Sequence, residues 1–205
     1  MAVFTKLNKL EIENFLDSYE LGKLDSYNEI VEGIENTNYK IVCDGNPYIL
    51  TIFEKRVKDE DLPFFINLKL FLNNNNFNCP KPIRDKNKKI INSIRSKKAV
   101  IISFIEGQKI NIANFHQCFE VGKVIGNLHD LTTQFNEKRE NSLNIIELKK
   151  IFVKCEKNKN DQFEDIFHEL KIEIDLLEKS LPNNLPSGII HADLFKDNIF
   201  FKDEK

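Results

Sequence analysis

The stretch His191-Ala192-Asp193-Leu194-Phe195-Lys196-Asp197-Asn198-Ile199-Phe200-Phe201 decides how the rest of this chain is read. A histidine, an aspartate and an asparagine stand at fixed offsets, H-x-D-x-x-x-x-N. The apolar runs Gly188-Ile189-Ile190 and Ile199-Phe200-Phe201 flank them. Asp and Asn often do no more than shape turns. Here the two runs read as strands on either side of one loop, and positioning chemistry needs such a rigid frame. Asp193 supplies a carboxylate that can take a proton, Asn198 a carboxamide oxygen that suits a hard cation, and His191 a brace for the loop.

Working outward, the chain ahead of this loop changes character once. Leu7, Leu10, Phe15 and Leu16 have helical spacing and predict a short amphipathic helix over 7–18. Three β-rich runs follow, in 26–33, 38–45 and 47–56, with Asp44-Gly45-Asn46-Pro47 as the turn of an antiparallel hairpin. A helix is expected over 60–72, ended by the polar tract Asn73–Asn76, and strands around 89–94 and 99–105. Beyond Glu106-Gly107 the pattern is helical, over 114–133, about 144–154, and a third run from Phe163 to Leu177. Gly122 and Gly126 lower the helix propensity of the first of these and suggest close approach of another element. His129, in Leu128-His129-Asp130, reads as a packed helix histidine. The organisation is α+β, with a lobe over 1–105, an antiparallel sheet with one or two helices, and a helical lobe over 106–205.

Bulk properties exclude several classes. The chain has 205 residues, 41% hydrophobic and 30% charged, with a net charge of −2. That is ordinary for a soluble domain and implies no general attraction to nucleic acid or to an anionic membrane. Cys43, Cys79, Cys118 and Cys155 form no C-x-x-C pair, which argues against zinc and for a reduced, cytoplasmic protein. No run approaches the ~20 apolar residues of a membrane span.

H-x-D-x-x-x-x-N is also the spacing of a protein kinase catalytic loop, in which the Asp accepts the substrate hydroxyl proton and the Asn binds Mg²⁺ on the nucleotide phosphates. The segment Gly188–Phe201 resembles that of the aminoglycoside/choline phosphotransferase superfamily, relatives of the protein kinases. More narrowly, the runs 1–7, 32–41, 48–57, 61–68, 79–86, 104–107 and 126–132 resemble the bacterial homoserine kinases of that superfamily. The resemblance implies a protein kinase-like fold and transfer of the ATP γ-phosphoryl group to the hydroxyl of L-homoserine, a step of threonine biosynthesis. It implies ATP and Mg²⁺ as cofactors, Asp193 as proton acceptor and Asn198 as metal ligand. It places Gly33, Asn36, Thr37 and Asn38 at the phosphate-facing turn, Thr51 beside the phosphates, and Ser103, Phe104 and Ile105 along the adenine. Another alcohol kinase of the superfamily, of choline, aminoglycoside or methylthioribose type, and a nucleotide-binding pseudokinase are the alternatives.

The sequence departs from the kinase pattern at three places. Ala192 replaces the Arg that reads an activation-loop phosphate, so control of that kind is not expected. Thr51 stands where protein kinases carry the V-A-I-K lysine, with Lys55 and Arg56 just beyond, and the cation facing the phosphates is left unassigned. A second acidic Mg²⁺ ligand belongs about 15–20 residues after the catalytic Asp, as in the D-F-G-like segment. Twelve residues follow Asp193, and Asp203 and Glu204 are too near. The chain therefore reads as a C-terminally truncated lobe, with weak or no activity expected.

Overall fold

The computed structural model describes residues 3–33, 35–54, 57–158, 160–182 and 184–202. They fall into two compact units, Met1–Glu137 with Gly188–Lys205, and Lys138–Ser187. Lys55 and Arg56, and the expected turn at Asp203-Glu204, lie outside the described residues.

The first unit is built on an antiparallel sheet. Its strands are β1 (Leu24–Ile30), β2 (Asn36–Cys43), β3 (Asn46–Phe53), β4 (Asn92–Ile94) and β5 (Lys97–Ser103), in the order β1-β2-β3-β5-β4. The β2–β3 hairpin closes at Asp44-Gly45, both with positive φ, 44° and 75°. That is the backbone a tight hairpin demands and Gly adopts without steric cost. Alternation along β2 sends Thr37, Tyr39, Ile41 and Cys43 to one face, all buried. Helix α1 (Lys9–Leu16) packs there through Ile12, Phe15 and Leu16, in one core with Leu50, Ile52, Ala99 and Ile101. Asn8 and Glu11 cap α1 reciprocally, satisfying two backbone donors at its start.

The opposite face of the sheet is polar on β2 and apolar on β5. Helix α2 (Leu62–Asn74) lies here, and Ile66 joins Ile90 and Val100 in a second core. The predicted helix over 60–72 is thus present, shifted by two residues and preceded by a single 3-10 turn, Asp59–Asp61. Helix α3 (Phe115–Thr132) is capped by Asn114 and Gln117 and buries only Leu128 and Thr132. Nothing lies within 4 Å of a Cβ placed on Gly122 or Gly126, so the close neighbour expected there is not found among the described residues. His129 is exposed rather than packed.

The second unit holds α4 (Ile145–Glu156) and α5 (Glu164–Ser180). Phe152 and Phe167 meet at 5.6 Å between ring centroids, and Lys149 pairs with Glu178. No described residue of either helix is fully buried. Among the described residues no helix is long and apolar enough to cross a membrane.

Candidate active site

The loop that opened the sequence reading belongs to the unit that carries the sheet. Its flanks are not the two strands expected. Gly188–Ile190 is irregular, with Ile190 60% exposed, because no neighbouring strand offers it a ladder. After the loop, Phe201 alone pairs, exchanging two backbone hydrogen bonds with Gln108 at 2.8 and 3.0 Å. Burial of Phe201 and two side-chain contacts fix the segment to the connector that follows β5. Phe201 is buried, Lys202 Nζ lies 3.0 Å from Glu106 Oε2, and Lys196 Nζ donates to the Asn111 carbonyl at 3.3 Å. Phe200 Cβ would stand 2.8 Å from a Cβ on Gly107, so glycine at 107 permits this approach. The Lys202 ammonium holds the Glu106 carboxyl below the usual carboxylate range.

Within the loop the three motif residues meet. Asn198 Nδ2 donates to Asp193 Oδ2 at 2.8 Å and to the Asp193 carbonyl at 2.9 Å. With its amino group so engaged, the Asn198 carboxamide oxygen is left as an acceptor. The Asp193 amide points at His191 Nδ1, at a long 3.4 Å, the bracing contact expected of His191. Ala192 between them has φ 63°, a left-handed conformation that costs a non-glycine residue about 1 kcal/mol. A single 3-10 turn, Lys196–Asn198, carries the asparagine back to the aspartate. Asp193 is exposed on irregular backbone.

The residues predicted to face a nucleotide divide between the two faces of the sheet. Asn38 and Thr51 are register partners on the α2 side, where Thr51 Oγ1 donates to Asn38 Oδ1 at 2.8 Å. Asn36 shares that side, and its Oδ1 is buried without a partner. Thr37 turns to the opposite face. Its hydroxyl accepts from the Phe4 and Thr5 amides at 3.0 and 3.1 Å and donates to Glu54 Oε1 at 2.6 Å, so only its backbone remains for a ligand. Gly33 has φ 94° and open space around it, as a turn that approaches a ligand requires. Ser103 ends β5 with its hydroxyl accepting from the Lys81 amide at 2.9 Å, Phe104 is half-buried, and Ile105 is exposed.

A polar group joined to Thr37 carries no signal in the sequence. Glu54 Oε1 accepts from Thr5 Oγ1 at 2.8 Å as well as from Thr37, and Oε2 pairs with Lys97. Burial alone would push the Glu54 carboxyl up, but the Lys97 ammonium and the two hydroxyls outweigh it and hold the pKa below its usual value. No local pattern marks these four residues, which lie as much as 92 positions apart.

A family model described as phosphotransferase enzyme family matches residues 26–205, a span that takes in the sheet, the connector and the loop. The chain belongs to this family. The chain is 37% identical over its full 205 residues to a homoserine kinase of Bartonella henselae, covering 64% of that protein. It is 38% identical over 98% of its length to a homoserine kinase of Agrobacterium fabrum, covering 62% of that one. It therefore spans a little under two thirds of these relatives. Among solved structures, a spectinomycin phosphotransferase in complex with ADP and spectinomycin matches with a TM-score of 0.69 at 14% identity, over 98% of this chain and 67% of that one. A microcompartment-associated aminopropanol kinase matches with a TM-score of 0.53 at 11% identity, over 67% of this chain and 45% of that one. At such identities the likeness is one of fold, the protein kinase-like fold expected from the sequence.

Proposed function

We propose that this phosphotransferase is a homoserine kinase, passing the γ-phosphoryl group of ATP to the side-chain hydroxyl of L-homoserine and releasing O-phospho-L-homoserine and ADP. The observation that carries the reading is identity of 37% along the whole chain to homoserine kinases, the catalytic loop included. Asp193 accepts the hydroxyl proton as the oxygen attacks phosphorus, and Asn198 holds that carboxylate in place through its amide. His191 braces the bend at Ala192.

The Asn198 carboxamide oxygen suits Mg²⁺ in kind, as a hard oxygen ligand. Among the described residues no group of three or more His, Cys, Asp or Glu side chains gathers to hold a metal. Asn198 would hold such an ion through its carboxamide oxygen, and the ion would supply positive charge beside the phosphates.

The test is ADP release from ATP and Mg²⁺ with L-homoserine, choline or spectinomycin as acceptor. The expected result is slow, homoserine-dependent release that falls at least about 100-fold in Asp193→Asn, the loss typical of a missing general base. Preference for choline or spectinomycin, or an Asp193→Asn variant as fast as the parent, overturns the proposal.

A further inference from the structure

The kinase pattern asks for a cation beside the nucleotide, and Thr51 stands in its place. The α2-facing side of the sheet offers a replacement. Alternation and register put Ser26, Asn28 and Ile30 of β1, Asn36, Asn38, Lys40 and Val42 of β2, and Ile49, Thr51 and Phe53 of β3 on that side. Val100, Ile102 and Lys98 of β5 share it. Its described strand cations are therefore Lys40 and Lys98. Lys98 stands at the far edge, 3.9 Å from Asp59 Oδ2.

Lys40 is differently placed. It is opposite Ile49, two positions from the Asn38–Thr51 pair on the same side of β2. Its stem crosses the sheet towards the connector, and Nζ rests 4.3 Å from the centroid of the Phe104 ring. Among the described residues no carboxylate lies within ion-pair distance of it; Glu106, paired with Lys202, is the acid that feels its charge from farther off. An ammonium held by an aromatic face, worth about 0.5–1 kcal/mol when exposed, is weakly committed. A polyphosphate offers far more, through charge-assisted hydrogen bonds. Strand neighbours at i and i+2 lie about 6.6 Å apart, so the flexible four-carbon stem can turn from Phe104 to the space over Asn38 and Thr51.

The geometry points to Lys40 as the cation that binds the nucleotide's polyphosphate, in place of the lysine that Thr51 displaces from β3. This rests on the kinase reading above and adds to it a residue on a different strand. Phe104 parks the ammonium until the phosphates arrive.

The experiment measures binding of Mg·ATP and of adenosine to the full chain by calorimetry, for the parent, Lys40→Met, Lys40→Arg and Lys55→Met. Circular dichroism melting checks that each variant is folded. Lys40→Met is expected to weaken ATP about 10-fold or more and adenosine less than about 2-fold, with Lys40→Arg within about 3-fold of the parent, as for a charge-assisted contact. A parent that binds no ATP overturns the kinase reading and this inference together. A parent that binds ATP, with Lys40→Met unchanged or weakened equally for adenosine, overturns the inference alone. So does a larger loss in Lys55→Met than in Lys40→Met.

Discussion

Replacing Glu54 by Gln keeps shape and removes charge at the point where the N-terminal segment, β2, the end of β3 and β5 meet. In the native protein one carboxylate serves Thr5, Thr37 and Lys97, and its side chain is only 7% exposed. Hydrogen bonds to a charged group contribute about 1.5–3 kcal/mol and neutral ones about 0.5–1.5. Gln therefore weakens the two hydroxyl contacts by roughly 1 kcal/mol each. It also sets an amide N–H₂ against the Lys97 ammonium. Lys97 is 38% exposed and can retract into water, so about 1 kcal/mol is a fair share for that loss. The sum, about 3 kcal/mol, lowers the melting temperature by roughly 6–12 °C for a protein of this size. Calorimetry at pH 7 reads this directly.

The pH dependence provides a second check. The folded pKa of Glu54 is depressed, so its contribution is present above the ordinary carboxylate pKa, about 4.3. It is lost as pH falls through the lower folded value. The gap between parent and Glu54→Gln should narrow in that acid range. A shift under about 2 °C at pH 7, or a gap that stays constant on acidification, refutes the reasoning.

Three other outcomes follow from the geometry. Tyr39 is fully buried, its hydroxyl donating to the Thr5 carbonyl at 2.9 Å and accepting from the Leu7 amide at 2.8 Å. Tyr39→Phe leaves both backbone groups unpaired and should cost about 1–3 kcal/mol in denaturant unfolding. Gly107→Ala drives a methyl into Phe200 and should speed hydrogen exchange at the Gln108 and Phe201 amides, with a stability loss of about 1–3 kcal/mol. Asn198→Ala frees the Asp193 carboxylate and should cut phosphoryl transfer about 10-fold or more while melting stays within about 2 °C, since the contact is exposed.

Local chemistry made much of the fold legible. Asp44-Gly45 announced its hairpin, alternation along Asn36–Cys43 announced a strand with one buried face, and apolar spacing placed all five α-helices to within a few residues. The H-x-D-x-x-x-x-N spacing likewise brought His191 and Asn198 each into contact with Asp193. What could not be read depends on partners distant in sequence. Gly188–Ile190 has a strand's composition, but a strand exists only where another accepts its hydrogen bonds, and none does here. The Thr5–Thr37–Glu54–Lys97 group has no period at all. The side to which Thr37 turns followed from β2 register, and only the pairing with β3 and the N-terminal segment fixed it.

The bridge between Gln108 and Phe201 also bears on the order of assembly. The ion pair beside it spans 96 positions, and the unit that contains both closes only after an excursion through Lys138–Ser187. Closing so long a loop carries an entropy cost that nearby contacts avoid, and such pairings form late. During synthesis the five-stranded sheet can be complete while the loop over 191–198 is still inside the ribosome. The scaffold thus matures well before the candidate site, and a nascent chain stalled near residue 190 would hold a finished sheet without that loop.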